Sequence, residues 1–225
     1  KCRLRWFDQM MRDPLAAAVQ AEQFTTELHC ALRSDHRGLD KMLRIARERL
    51  DIGRREPRKS PKVASPNQAL ETLKQALTEA QVAYAAAVAP LSRSEIAELT
   101  QGLYPVLTEE NTNGHMLSYP ATGRRLCNLL EKVDRGALFD AADALTTLAA
   151  PQFLAQLAKL DDQGNVGVTG VRGTAVRKIA TSAGNIMIGG RGRNIYNLDE
   201  MGDVAAVVDL GGDDVYLEGR VSPQR

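Results

Sequence analysis

The sequence predicts an α+β chain: an N-terminal α-helical bundle or hairpin region over residues 1–160, then the opening rungs of a β-solenoid over 163–225. Three observations carry this. Alanine and leucine dominate the first 160 residues and recur at helical spacing. Beyond Asp161 the helix signals stop, and glycine-punctuated, valine-alternating segments read as strands and tight turns. Near its end the chain writes a glycine–acid phrase twice: Gly189-Gly190-Arg191-Gly192-Arg193-Asn194-Ile195-Tyr196, then Gly211-Gly212-Asp213-Asp214-Val215-Tyr216, with glycines 22 and tyrosines 20 residues apart. Self-similarity at that period marks a stacked repeat in which no copy buries its apolar face alone.

The helical elements follow in order. Asp13-Pro14 is a helix start, Asp as N-cap and Pro at the first helical position, with Leu15, Val19, Phe24, Leu28, Ala31 and Leu32 behind it. Gly38 punctuates, and Leu39, Met42, Leu43, Ala46 and Leu50 form a second amphipathic stretch ending before Gly53. Residues 54–66, with three prolines and five basic residues, read as an exposed linker. A long helix starts at Ser65-Pro66, where Leu70, Leu73, Leu77, Ala80, Tyr84 and Ala87 make a seam suited to an antiparallel hairpin; Pro90 ends it. Ser94 is expected to cap the next helix and Pro105 to close it. Residues 108–120 form a polar, proline-bounded loop of a length often tied to function. Helices over Thr122–Val133 and Ala137–Ala149 follow, and Pro151 opens another reaching Leu160.

Composition excludes several classes. Lys+Arg 29 against Asp+Glu 28 leaves a net charge of +1, so no overall field draws the chain to nucleic acid or membrane. The basic 54–66 stretch lacks interleaved aromatics, so no nucleic-acid partner is expected. No apolar run reaches the roughly 18 residues a bilayer span requires. The start, Lys1-Cys2-Arg3-Leu4-Arg5, lacks both an initiator Met and the apolar stretch of a signal peptide, so an upstream segment is expected. Cys2, Cys30 and Cys127 are too scattered for a disulfide scaffold. A Cys30–Cys127 bridge between helices is one reading, and buried free thiols on helix faces the better one.

Within the repeat, paired glycines permit the positive φ that a solenoid corner demands. Aspartates beside them can cap turn amides or offer oxygen to a hard cation. Asn194, Asp209, Asp213 and Asp214 are therefore the candidate ligands of a calcium ion shared between rungs, the other reading being corner capping and solubility. Asn194 in place of the acid in one of two copies favours capping. Tyr196 and Tyr216 hold equivalent positions and could stack on neighbouring rungs. The first copy resembles the calcium-binding nonapeptide repeats of secreted bacterial RTX proteins, which implies glycine turns, an aspartate and carbonyls on calcium, and an apolar residue inside a β-roll. The second, Asp209 to Tyr216, is similar to the D-L-G-G-D-D-x-Y repeats of large bacterial β-solenoid proteins. The likeness covers residues 184–218.

Other constellations carry less chemistry. His29, Cys30 and His36 lack the spacing of a metal site. Ser118, His115 and Glu110 can be drawn as a hydrolase triad, yet no nucleophile elbow accompanies them. Gly189-Gly190-Arg191-Gly192 follows a strand but opens no helix, which fails the dinucleotide-loop pattern. Arg124-Arg125 and Arg191/Arg193 are basic pairs whose default is solvated surface. No catalytic residue is assigned.

The expected function is that of a non-enzymatic structural or interaction protein in a larger bacterial secreted or surface assembly, the helical part serving as cap or docking module. Because two copies are fewer than a repeat stack needs, the last rung should take another polypeptide, either a downstream fragment or a neighbouring subunit. Val204, Val207, Val208, Leu210, Val215, Tyr216 and Leu217 are the expected contact residues. The alternative is a lyase or hydrolase acting on an extracellular polysaccharide, with Asp209, Asp213 and Asp214 as its carboxylates. A secreted, periplasmic or surface location is favoured over the cytoplasm.

Overall fold

The structure is a computed structural model describing residues 4–34, 37–53, 56, 58, 61–108, 120–160, 167–173 and 176–217. Among these, eight α-helices are followed by six strands in two three-stranded sheets. The architecture is α+β, with helices first and strands last. The 109–119 part of the expected loop (with Glu110, His115 and Ser118), together with Cys2, His36 and the tail from Glu218, lies outside the described residues.

The chain divides into two compact units, Lys1–Lys62 with Glu79–Phe153, and Val63–Thr78 with Leu154–Arg225. The first unit is helical. Its helix α1 (Arg5–Arg12) was not expected from the sequence. No side chain caps its start at Leu4, and it is held instead by packing: the Trp6 ring sits 5.2 Å from that of Phe24, and the Arg5 amide donates to Asp51 at 2.8 Å. Asp13 caps as expected, accepting from the Ala16 amide, but the first product is a short 3-10 turn, Pro14–Ala16, that leads into α2 (Ala17–Arg33). Helix α3 (Gly38–Arg49) packs on α2 and on α7 (Arg135–Thr146), whose N-cap is Asp134. Buried Arg47 on α3 pairs with Asp140 and, at 3.3 Å, with buried Asp143, and stands 5.4 Å over the Phe139 ring. Burying a guanidinium is tolerable only with such partners.

Helix α4 (Pro66–Val88) begins where the sequence placed it. Gln68 and Ser65 cap it reciprocally, the Gln68 amide donating to Ser65 Oγ at 3.3 Å and Gln68 Oε1 accepting from Ala64 at 2.8 Å. Its expected seam is buried at Leu70, Leu73 and Ala87, but Tyr84 is 49% exposed. Helix α5 (Arg93–Thr108) starts two residues earlier than expected, because Ser92 and Glu95 form the capping box, not Ser94. It also runs through Pro105 instead of ending there. Leu99 of α5 packs with Leu91 and with Leu126 and Leu129 of α6 (Pro120–Lys132). Arg125 reaches Glu98 through two bonds of 3.0 and 3.1 Å. Lys132 and the Ser92 amide hold Glu95 down to about 2. Among the described residues Cys30 and Cys127 form no disulfide and are exposed, where the sequence reading expected burial.

The second unit holds helix α8 (Pro151–Leu157) from Leu154 onward and all the strands: β1 (Val171–Gly173), β2 (Val176–Thr181), β3 (Gly184–Gly189), β4 (Asn194–Asn197), β5 (Val204–Asp209) and β6 (Val215–Leu217). One sheet has the order β1-β4-β6 and the other β2-β3-β5. In each, the first pair is antiparallel and the second parallel. The parallel pairs share one register. Ile186 lies against Ala206, Gly189 against Asp209, Ile195 against Val215 and Tyr196 against Tyr216, each 20 residues on. A single irregularity, between Asn185 and Ile186, precedes this run.

Candidate functional site

The residues singled out in the repeat converge at the turns where β3 leads to β4 and β5 to β6. Tyr196 is fully buried there and packs with Met187, Met201, Val204 and Val207. Its hydroxyl donates to Asp209 Oδ2, and Asn194 Nδ2 donates to that hydroxyl at 3.0 Å. Burial, and then the bond to Asp209, push the Tyr196 phenol well above its ordinary range. Asp209 Oδ1 accepts from the Gly211 amide at 2.8 Å, and Asp214 Oδ1 accepts from the Asn194 amide at 2.7 Å. Asp214 therefore ties the turn before β6 to the residue of β4 that lies 20 positions earlier.

The glycines explain themselves differently from the sequence expectation. Gly211 and Gly212 do adopt positive φ, +122° and +147°, and a Cβ on Gly212 would stand 2.5 Å from the Gly192 carbonyl oxygen. Gly189 needs no such φ. A Cβ there would lie 1.8 Å from the Tyr196 hydroxyl, so the position is glycine because a neighbour occupies its side-chain space. In the strand register Gly189 is equivalent to Asp209, and not to Gly211 as the 22-residue spacing suggested. The tyrosine spacing of 20 carries the true repeat.

Of the four candidate calcium ligands, Asn194, Asp209 and Asp214 come together, but through bonds to amides and a phenol. Asp213 is exposed. Among the described residues no group of three or more His, Cys, Asp or Glu is placed to hold a metal ion. Arg191 is likewise engaged, donating to the Ala158 carbonyl at 2.6 Å.

The expected contact residues fall into two sets. Val204 and Val207 turn inward onto Met187, Tyr196 and Met201, while Val208 and Leu210 are half-buried. Val215, Tyr216 and Leu217 are 37%, 54% and 46% exposed. The Tyr216 ring stacks on that of Tyr196, with centroids 5.0 Å apart and planes 19° from parallel. One face of the Tyr216 ring is thus taken by Tyr196.

The two edges of these sheets differ in kind. On one side β1 and β2 carry the exposed cations Arg172, Arg177 and Lys178, a charge pattern that discourages further pairing. The other side is β5, Val-Ala-Ala-Val-Val-Asp, and β6, Val-Tyr-Leu, with no cation. The sequence reading missed this asymmetry, although the basic residues of 171–181 were its signal. Antiparallel partners β1 and β2 pair with β4 and β3 on that side.

No known family model matches the chain, and neither the curated proteins nor the solved structures yield a match. Among the described residues no helix is long and apolar enough to cross a membrane.

Proposed function

We propose that the chain is a non-enzymatic structural and interaction protein in which β3–β4 and β5–β6 are the opening rungs of a β-solenoid, and that its open edge takes another polypeptide. The observation that carries this is the constant 20-residue parallel register joined to an edge of exposed, uncharged residues at Val215, Tyr216 and Leu217. Parallel strands stacked at one offset are the geometry of a coil advancing one rung per repeat. An unpaired edge with apolar side chains is unstable in water unless something covers it. The cationic edge at β1 and β2 suits the beginning of such a stack and not its continuation. On this reading the helical part is a cap or docking module, and the likeness to secreted bacterial repeat proteins favours a surface or secreted assembly.

The aspartates support the structural role over polysaccharide cleavage. Both oxygens of Asp209 are engaged by the Gly211 amide and the Tyr196 hydroxyl, and Asp214 caps the Asn194 amide. A glycosidase needs two free carboxyl groups facing a substrate space.

Sedimentation velocity over a range of concentrations tests the proposal. The unmodified chain should associate through the open edge, and Leu217→Lys should return it to monomer. Association that is equally strong in Leu217→Lys, or absent from the unmodified chain, overturns it.

A further inference from the structure

The contacts between the two rungs specify what a third must carry. Each rung-to-rung step uses three features: a parallel strand pair advanced by 20 residues, an aromatic ring laid on the preceding tyrosine, and a carboxylate accepting the backbone N–H at the position two before that tyrosine. The second rung presents the same features outward again. Tyr216 offers its free ring face, Asp214 stands at the place of Asn194, and Val215 and Leu217 flank the ring as Ile195 and Asn197 flank Tyr196.

The geometry points to one occupant for this edge: a further rung of the same repeat, in parallel register, bearing an Asp or Asn over Asp214 and an aromatic residue over Tyr216. The inference rests on the proposed function and deepens it by naming the partner's chemistry. A second copy of this chain fits the edge less well. Its own open strands would meet β5 and β6 antiparallel, which reverses the order of acid and ring along the strand. Its opposite edge carries Arg172, Arg177 and Lys178, with no acid-and-tyrosine phrase.

One register detail sets how the third rung differs from the first step. Tyr196 buries its hydroxyl where Gly189 has no side chain, but the equivalent position in the second rung is Asp209. Tyr216 therefore cannot sink its hydroxyl in the same way, so the ring face remains as the recognition element.

The test lengthens the full chain by one repeat, inserting a copy of residues 198–217 between Leu217 and Glu218. Amide hydrogen exchange at Val215–Leu217, measured by mass spectrometry and NMR, should slow at least tenfold, independently of protein concentration. The protection should be lost when the inserted copy alone carries Asp214→Ala with Tyr216→Ala. Unchanged exchange, or equal protection with both substitutions, overturns the register. Protection of the lengthened chain that appears only as its concentration rises comes from a second copy and not from the inserted rung, and it overturns the register. If the lengthened chain proves insoluble, Asp214→Ala in the natural chain should raise exchange at the Asn194 amide at least tenfold, and unchanged exchange there overturns the contact being extended. Association of the natural chain is read separately by sedimentation, so failure of the register and failure of the underlying reading remain distinct.

Discussion

Gly189 offers the sharpest test of how the turns around Tyr196 are locked. In Gly189→Ala the new methyl group would lie 1.8 Å from the Tyr196 hydroxyl and 3.0 Å from both Asp209 Oδ2 and Asn194 Nδ2. Carbon and oxygen do not approach within about 3 Å without repulsion, so the phenol must move by more than 1 Å. It has nowhere to go, since the ring is fully buried and stacked on Tyr216. The variant therefore loses the charge-assisted bond to Asp209, worth about 1.5–3 kcal/mol, and adds overpacking of about 1–3 kcal/mol. A total of about 2.5–6 kcal/mol is expected. Urea unfolding at pH 7, followed by the near-ultraviolet signal of the tyrosines, reads it. Tyr196→Phe alone should cost about 1–2 kcal/mol, because Asp209 is half-exposed and recovers water. The double variant should cost little more than Tyr196→Phe, giving a coupling of about 2 kcal/mol or more. A Gly189→Ala cost below about 1 kcal/mol, or additivity within about 0.5 kcal/mol, would refute the packing argument.

Three further outcomes follow from the same contacts. The Tyr196 phenol is raised from its ordinary 10.0, so its protonated form is favoured by the fold; its contribution is intact below pH 10 and is lost as pH rises beyond it. Unfolding free energy measured from pH 9 to 11.5 should fall by up to about 1.4 kcal/mol per pH unit, less steeply in Tyr196→Phe, and identical slopes would contradict this. Arg47→Leu strands buried Asp143 without its cation and should cost about 3–5 kcal/mol, recovered in part by adding Asp143→Leu; a single variant as stable as the natural chain speaks against the buried pair. With Asp209 and Asp214 committed to amides and a phenol, millimolar calcium should leave the melting temperature unchanged relative to chelator, and a rise of several degrees would restore the calcium reading.

What was legible in the sequence was what local chemistry decides. Asp13-Pro14 and Ser65-Pro66 mark helix starts because short polar side chains satisfy amides within the same turn, and they do so here. The tyrosine interval of 20 gave the offset between the paired parallel strands for an equally local reason, since like residues stack when strands advance evenly. What failed depended on distant neighbours. Helix α1 has no cap and no start signal, and it exists because Trp6 meets Phe24 and Arg5 meets Asp51. Gly189 read as a turn glycine because the hydroxyl that fills its side-chain space comes from across the turn. Pro105 read as a stop, although a helix can continue past a proline when packing holds its other turns. At the candidate site, the tyrosines and aspartates were visible as a repeated phrase. Their partition into inward capping groups and an outward apolar edge required the pairing of β3 with β5 and of β4 with β6.

Hydrogen exchange along Val204–Leu217, followed as the natural chain is concentrated, tests most directly the claim that this edge is built to be covered by another polypeptide. The account predicts fast exchange at Val215–Leu217 in dilute monomer and protection of at least tenfold as the chain associates, with the pairs from Ile186 to Gly189 protected throughout. A monodisperse monomer at every concentration, with Val204–Leu217 already fully protected and no other chain against it, would contradict the account.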